Sequence, residues 1–287
     1  MPISLYNGLL QVEFEEKRHR YTVNGELWRN ISSVPKAIDC GKADAFAGWA
    51  SNEYRDYLYL NWPATAEGEF VPVATPHIAK GLIEEGRKEH NRRKEKAADI
   101  GTKVHDWIEA HIKAQLSFQE SPALPLDEQE RNAVLDYLER EKGRRIHYEA
   151  TERIVASAEH RFIGRLDNVY ILAEDGVRAL EDHKTAGGIR ISFRPQLAAY
   201  AMAWNEENPE QAVWRRRINL LSKDGRPTKP YDLCYPGLSD EESTQVDFEA
   251  FLHALRITEW AERAIALLPE KVKEEYEPPV EWARRIR

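Results

Sequence analysis

Cysteine, methionine and long apolar runs are what this 287-residue chain has least of; it holds two cysteines, Cys40 and Cys234, and two methionines. Two thiols so far apart exclude a disulfide framework, a four-thiolate zinc site and an iron–sulfur cluster held by one chain. The expected compartment is therefore reducing. No stretch approaches the roughly 18 apolar residues of a membrane span, and the opening MPISLYNGLL has no basic segment followed by an apolar run. A cytosolic protein without a membrane partner is expected. An excess of positive charge is also missing: 41 Lys and Arg stand against 49 Asp and Glu, a formal net charge of -8. That balance argues against a protein that coats nucleic acid.

What is there suits an ordinary globular chain, since 42% hydrophobic residues suffice for one large domain or a core with an added lobe. The stretch HRYTVNGELWR, 19–29, alternates around Asn24-Gly25 and predicts a hairpin with a type I′ turn. Helical spacing follows from Ser32 to about Leu60 and from Ile78 to Gln115, with Thr102 after Gly101 as an N-cap for KVHDWIEAHI. Another helix is expected from Asp127 to Lys142. Residues 1–100 then read as a hairpin with a helical lobe, and 101–287 as the main domain. Local basic clusters occur at RKEHNRRKEK (87–96, with Arg92 and Arg93), WRRR (214–217) and RRIR (284–287). Each is either a solvated surface or part of a phosphate track.

From residue 148 the period changes to two. YEATERIVAS, HRFIGRLDNVYIL and GVRALEDHKT predict consecutive strands, followed by a helix from Phe193 to Asn205. AVWRRRINLLSK and KPYDLCY predict two more strands around a DGRP turn. Ser239 with Glu242 forms a capping box for a final helix carrying Val246, Phe251, Leu252, Leu255 and Ala261 on its apolar side.

Two acids interrupt this sheet. Asp167 shares a strand face with Ile163, Val169 and Ile171, and a turn centred on Glu174-Asp175 sets it opposite Asp182, with Lys184 two residues further on. Opposed like charges destabilise a sheet, and a partly buried carboxylate without a partner costs several kcal/mol. Lys184 neutralises one charge only, so a divalent ion with oxygen ligands, Mg²⁺ or Mn²⁺, is the economical account. The plainer account is a solvated edge acid beside an ordinary surface ion pair. Glu152 on the preceding strand offers a third carboxylate, with Glu149 and Glu159 as rivals. Gln196 and Tyr200 in PQLAAY fall four residues apart on one helix face.

The order Glu, GRLD, LEDHKTA, QLAAY resembles the PD-(D/E)xK nuclease superfamily, in its RecB-like branch with the QxxxY motif. Within that branch it is most similar to the mitochondrial genome maintenance exonucleases and their phage relatives. The resemblance covers about residues 20–265 and extends to GTKVHDWIEAHI upstream and INLLSKDG downstream; the chain has SVP where that group would carry SVT. It implies an α/β (α+β) fold, a restriction-endonuclease-like central mixed sheet flanked by helices, with a helical N-terminal lobe. Asp167, Asp182 and the backbone carbonyl of His183 would be metal ligands. Glu152 would hold the metal or its water, and His105 would complete the site. Lys184 would orient or deprotonate the attacking water or stabilise phosphate charge. Gln196 and Tyr200 would support the site and the DNA backbone.

The implied activity is Mg²⁺-dependent hydrolysis of DNA phosphodiesters at single-stranded ends, in phage or bacterial replication, recombination or repair. Arg92 and Arg93 would then bind substrate in a basic passage, with Trp49, Tyr54, Tyr57 or Trp62 available for base stacking. The alternatives are a structure-selective endonuclease and a catalytically silent DNA-binding module of the same fold.

Overall fold

In a computed structural model that describes residues 3–18, 20–35, 38, 43–65, 68–70, 76–269 and 272, Asn24 and Gly25 both take positive φ, 49° and 82°. They close the turn between β3 (Arg20–Val23) and β4 (Glu26–Asn30) as the sequence predicts. Two further strands precede that hairpin, β1 (Ile3–Leu5) and β2 (Leu10–Glu15), which sequence reading did not anticipate. Their alternate residues Leu5, Leu10 and Val12 pack with Tyr21, Val23, Ile154 and Ile163 in a small core.

The helical expectation from Ser32 is corrected: residues 31–35 form turns in which Ser32 donates to the Asn30 side chain, and α1 runs Ala43–Asn61. A short polar side chain that bonds its own backbone neighbourhood competes with a helix. Next, α2 is one helix of 41 residues, Pro76–Leu116. The N-cap expected at Thr102 does not exist, because its hydroxyl bonds back to the carbonyl of Ala98 at 3.2 Å inside the helix. The boundary expected at 100/101 therefore falls within α2. Gly86 lets α1 approach: a Cβ there would stand 3.0 Å from the Tyr54 ring and 3.1 Å from that of Tyr57.

The central sheet contains β5 (Ile146–Ser157), β6 (Phe162–Leu172), β7 (Arg178–Lys184), β8 (Arg215–Leu220) and β9 (Tyr231–Asp232). With the N-terminal strands it makes a nine-stranded mixed sheet in the order β1-β2-β3-β4-β6-β7-β8-β9, with β5 on the other edge of β6. The β4–β6 and β7–β8 pairs are parallel and the remaining pairs antiparallel. α4 (Phe193–Glu207) and α5 (Asp240–Ala266) cover one face, packing Leu197, Tyr200, Phe248 and Phe251 on Val169, Leu180 and Ile218. α2 and α3 (Glu128–Glu141) cover the other, with Val104, Ile108, Val134 and Tyr137 on Tyr170, Ala179 and Leu221.

Caps fix the helix starts. Asp127 accepts from the amides of Gln129 and Glu130, and Ser239 with Glu242 makes the expected capping box; such caps contribute about 1 kcal/mol each. On α5, Val246 is exposed, contrary to expectation, and Asp247 takes its place inside, because buried Arg216 needs a partner there. The WRRR cluster is consequently structural: Arg216 pairs with Asp247 at 2.9 Å, Arg217 with Asp232 at 2.6 Å and Arg215 with Asp175 at 2.5 Å. The RRIR cluster and Cys40 lie outside the described residues. No helix among the described residues is long and apolar enough to cross a membrane.

Candidate functional site

The acids sit where the sheet divides. One edge of β6 is paired to β5 along its length, whereas the other is shared: Phe162 and Ile163 pair with β4, and Asn168 to Ile171 pair with β7. Residues 164–167 lie in the fork between. The β6–β7 register is the one expected, with Asn168 opposite Glu181 and Val169 opposite Leu180. One step further, at Asp167 and Asp182, the strands part. There the Oδ2 of Asp167 accepts the His183 N–H at 2.7 Å, taking over from the ladder.

Glu152 is opposite Asp167 on the β5 side, between the pairs Thr151↔Asn168 and Arg153↔Leu166. Its φ of 46° is a left-handed conformation that a non-glycine residue adopts at a cost on the order of 1–3 kcal/mol. His105 arrives from α2: Nδ1 lies 3.4 Å from Asp167 Oδ2 and 3.8 Å from Glu152 Oε1, and Nε2 lies 2.9 Å from the His183 carbonyl. Donation of Nε2–H to that carbonyl leaves Nδ1 facing the carboxylates. Ligand atoms of His105, Glu152 and Asp167 all fall within 4.8 Å of one another. The rivals are otherwise occupied: Glu149 is clamped by Arg178 at 2.5 Å, and Glu159 is exposed beside His160.

Asp182 is buried and pairs with Lys184, Oδ2 to Nζ 2.5 Å. Lys184 also lies 5.4 Å above the Phe193 ring. Behind the fork, Tyr200 packs on Gly164 so closely that a Cβ there would meet its ring at 2.8 Å, and Gln196 donates to the Tyr200 hydroxyl at 3.4 Å. The resemblance-derived residues of the core thus converge on one place. Arg92 and Arg93 do not: at about 1.5 Å per helical residue they stand roughly 18–20 Å along α2 from His105. There Arg93 pairs with Glu53 at 2.7 Å, and Arg92 with Glu85 and Glu89. Tyr54 and Tyr57 serve the α1–α2 contact, and Trp49 meets His90 edge-on.

Burial and neighbouring charges pull against each other in the site. Burial pushes Asp182 up to about 6, and Lys184 offsets this only in part. Burial raises Asp167 as well, although His105 and Lys184 pull it down. On His105, burial opposes the charge, yet Asp167 and Glu152 win and lift it to about 9. Lys184 is held charged in the same way, its burial outweighed by Asp182 and Asp167. Two carboxylates and an imidazole nitrogen at this spacing form a donor set that fits a hard divalent ion, provided the ion displaces the proton that the carboxylates hold on His105.

Cavities flank the sheet among the described residues. One of about 520 Å³, lined by Glu109, Glu152, Arg153, Ile154 and Arg165, reaches the trio at Glu152. A larger one of about 630 Å³ is lined by Asp136, Arg140, Arg144 and Arg217 and touches none of the site carboxylates. Arg165, 3.9 Å from Glu152 and stacked 5.3 Å above Phe14, was not singled out in the sequence, although it stands inside GRLD. No protein-family model matches the chain, and comparison with curated proteins finds no match.

Proposed function

We propose that this chain is a divalent-metal-dependent deoxyribonuclease of the PD-(D/E)xK type, acting on single-stranded DNA ends. The observation that carries the reading is the fork itself: Asp167, Glu152 and His105 gathered within 4.8 Å, with the Asp182–Lys184 pair beside them. Such a cluster of desolvated acids costs stability, and a cation-dependent reaction gives it a purpose. Asp167, Glu152 and His105 would hold Mg²⁺ or Mn²⁺, with Asp182 and the His183 carbonyl adjoining. When bound, the ion supplies an activated water and screens charge on the phosphate.

The chain's own residues do the rest. Lys184, whose charge Asp182 and Asp167 favour, would present a cation to the phosphate. Asp182 holds that ammonium in place. Tyr200, seated on Gly164 and tied to Gln196, backs the fork. Arg165 offers a guanidinium to the strand entering the adjoining cavity.

The test is a time course on end-labelled linear and on circular single-stranded DNA, with Mg²⁺ or EDTA, for the wild type and Lys184→Ala. Metal-dependent loss of the linear substrate alone, abolished by the substitution, is expected. Cutting of the circle would make the protein an endonuclease, and binding without cutting would make it a silent DNA-binding module.

A further inference from the structure

His183 belongs to the site through its backbone, and its side chain points to the face opposite that of Lys184, which lies over Phe193 of α4. The ring is 1% exposed and enclosed on the α2/α3 side of the sheet, met edge-on by Tyr137 at 5.4 Å and by the His105 ring at 6.0 Å. The side-chain amide of Asn168 lies 2.8 Å from Nε2, and Nδ2 of Asn219 lies 3.5 Å from Nδ1. Asn219 Oδ1 in turn accepts from Arg140 Nη1 at 3.0 Å, and Arg140 pairs with Asp136 at 3.0 Å. Asp136 is anchored by the amides of Ser222 and Thr228. A buried polar chain therefore runs from β6 through β7 and β8 to α3.

The donor and acceptor inventory orders this chain. Arg140 can only donate, so Asn219 Oδ1 is committed to it and Asn219 Nδ2 must donate to Nδ1 of His183. Nε2 then carries the hydrogen and requires an acceptor. Asn168 Oδ1 is the buried atom left without a partner when Nδ2 faces the ring, and reversing that amide meets both needs. One tautomer and one ring orientation satisfy both contacts of the imidazole. A ring held on both nitrogens fixes its own Cα, and the peptide groups on either side of that Cα are the N–H that holds Asp167 and the carbonyl that holds His105.

We infer that His183 is a positioning residue: its ring, locked by Asn168 and by the Asn219–Arg140–Asp136 chain, aims Asp167 and His105 at the cation site. The assignment rests on the metal-dependent reading above. Groups that orient ligands in this way affect metal affinity by about 10- to 100-fold.

The experiment is direct Mn²⁺ binding to the whole chain without DNA, followed through the signal of free Mn²⁺ in electron paramagnetic resonance. Wild type, His183→Leu, Asn168→Leu and His183→Gln are compared, with thermal unfolding in EDTA as the fold control. His183→Leu and Asn168→Leu are expected to weaken Mn²⁺ by about 10-fold or more. His183→Gln, which retains a donor and an acceptor, is expected to recover most of the affinity. Should His183→Leu fail to fold, Asn168→Leu carries the comparison, since it leaves the ring in place. Wild-type affinity in the folded leucine variants would overturn the inference while leaving the metal reading intact. A wild type that binds no Mn²⁺ would overturn the metal reading first and the inference with it.

Discussion

The N–H of His183 donates to the carboxylate of Asp167 at 2.7 Å at the point where β6 and β7 separate. A strand that leaves its ladder exposes backbone donors, and an acid on the neighbouring strand is the simplest replacement acceptor. The same acid is then desolvated next to Glu152 and Asp182. The fork thus gathers desolvated acids, an excess of like charge that His105 and Lys184 offset only in part.

That excess gives a signed expectation for Asp167→Asn. A carboxyl whose folded value is raised above the ordinary 3.8 contributes most to stability below that value and loses the contribution as pH rises through the folded one. At pH near 7 the charge therefore destabilises the metal-free fold, and Asn retains an oxygen for the His183 amide. Asp167→Asn is expected to melt higher than wild type in EDTA, to lose the melting shift produced by Mn²⁺, and to cut DNA at least about 100-fold more slowly. Differential scanning fluorimetry with and without Mn²⁺ checks the first two; a lower melting temperature in EDTA would refute the charge argument.

Gly164 should not tolerate a methyl group. Its Cβ would stand 2.8 Å from the Tyr200 ring and 3.0 Å from Ile31 Cβ, neither of which is the free end of a flexible chain. Gly164→Ala is expected to cost about 1–3 kcal/mol in urea unfolding by overpacking. Gly188→Ala, with nothing within 4 Å of its Cβ, is the matched control and should change stability little.

Glu141 provides an acid-side expectation remote from the trio. Burial opposes its ionisation, but hydrogen bonds from His111, Tyr137 and Tyr148 outweigh this and hold it below the ordinary 4.5. A carboxylate lowered in the folded state stabilises above its unfolded value and stops doing so as pH falls through the folded one. Glu141→Gln should therefore be less stable than wild type at pH about 7, with the gap closed at an acid pH below the lowered folded value. Urea midpoints at the two pH values measure it; a gap that stays constant would show that packing, not charge, is responsible.

Much of the fork was legible because alternation is a local signal. Asp167 stood out as the polar member of an apolar stripe, and the Glu174-Asp175 turn carried the register through to Asp182. Glu152 was readable only as one of three acids, since its left-handed backbone leaves no mark in the sequence. The Gly164–Tyr200 contact and the Arg140–Asn219–His183 chain join residues up to 79 apart, and no local pattern announces such pairs. Gly101 and Thr102 misled for the opposite reason. Their local preference for a helix start, worth about 1 kcal/mol, was outweighed by the packing of Ile100, Val104 and Ile108 on the sheet.

Arg165 and the Arg92–Arg93 pair make opposite claims on the substrate, and salt dependence separates them. Arg165 lines the cavity beside Glu152, while Arg92 and Arg93 lie roughly 18–20 Å away along α2 and already face Glu85, Glu89 and Glu53. Each phosphate that a side chain ceases to neutralise lowers the slope of log affinity against log salt by about 0.7 for single strands. With a tetranucleotide and EDTA, Arg165→Gln is expected to lower that slope by about this amount, and Arg92→Gln with Arg93→Gln to leave it unchanged. With an oligonucleotide long enough to reach the α1–α2 arm, a drop in slope for the double variant would show that the arm guides the strand. An unchanged slope would leave Arg92 and Arg93 as helix-surface ion pairs, with substrate held at the fork alone.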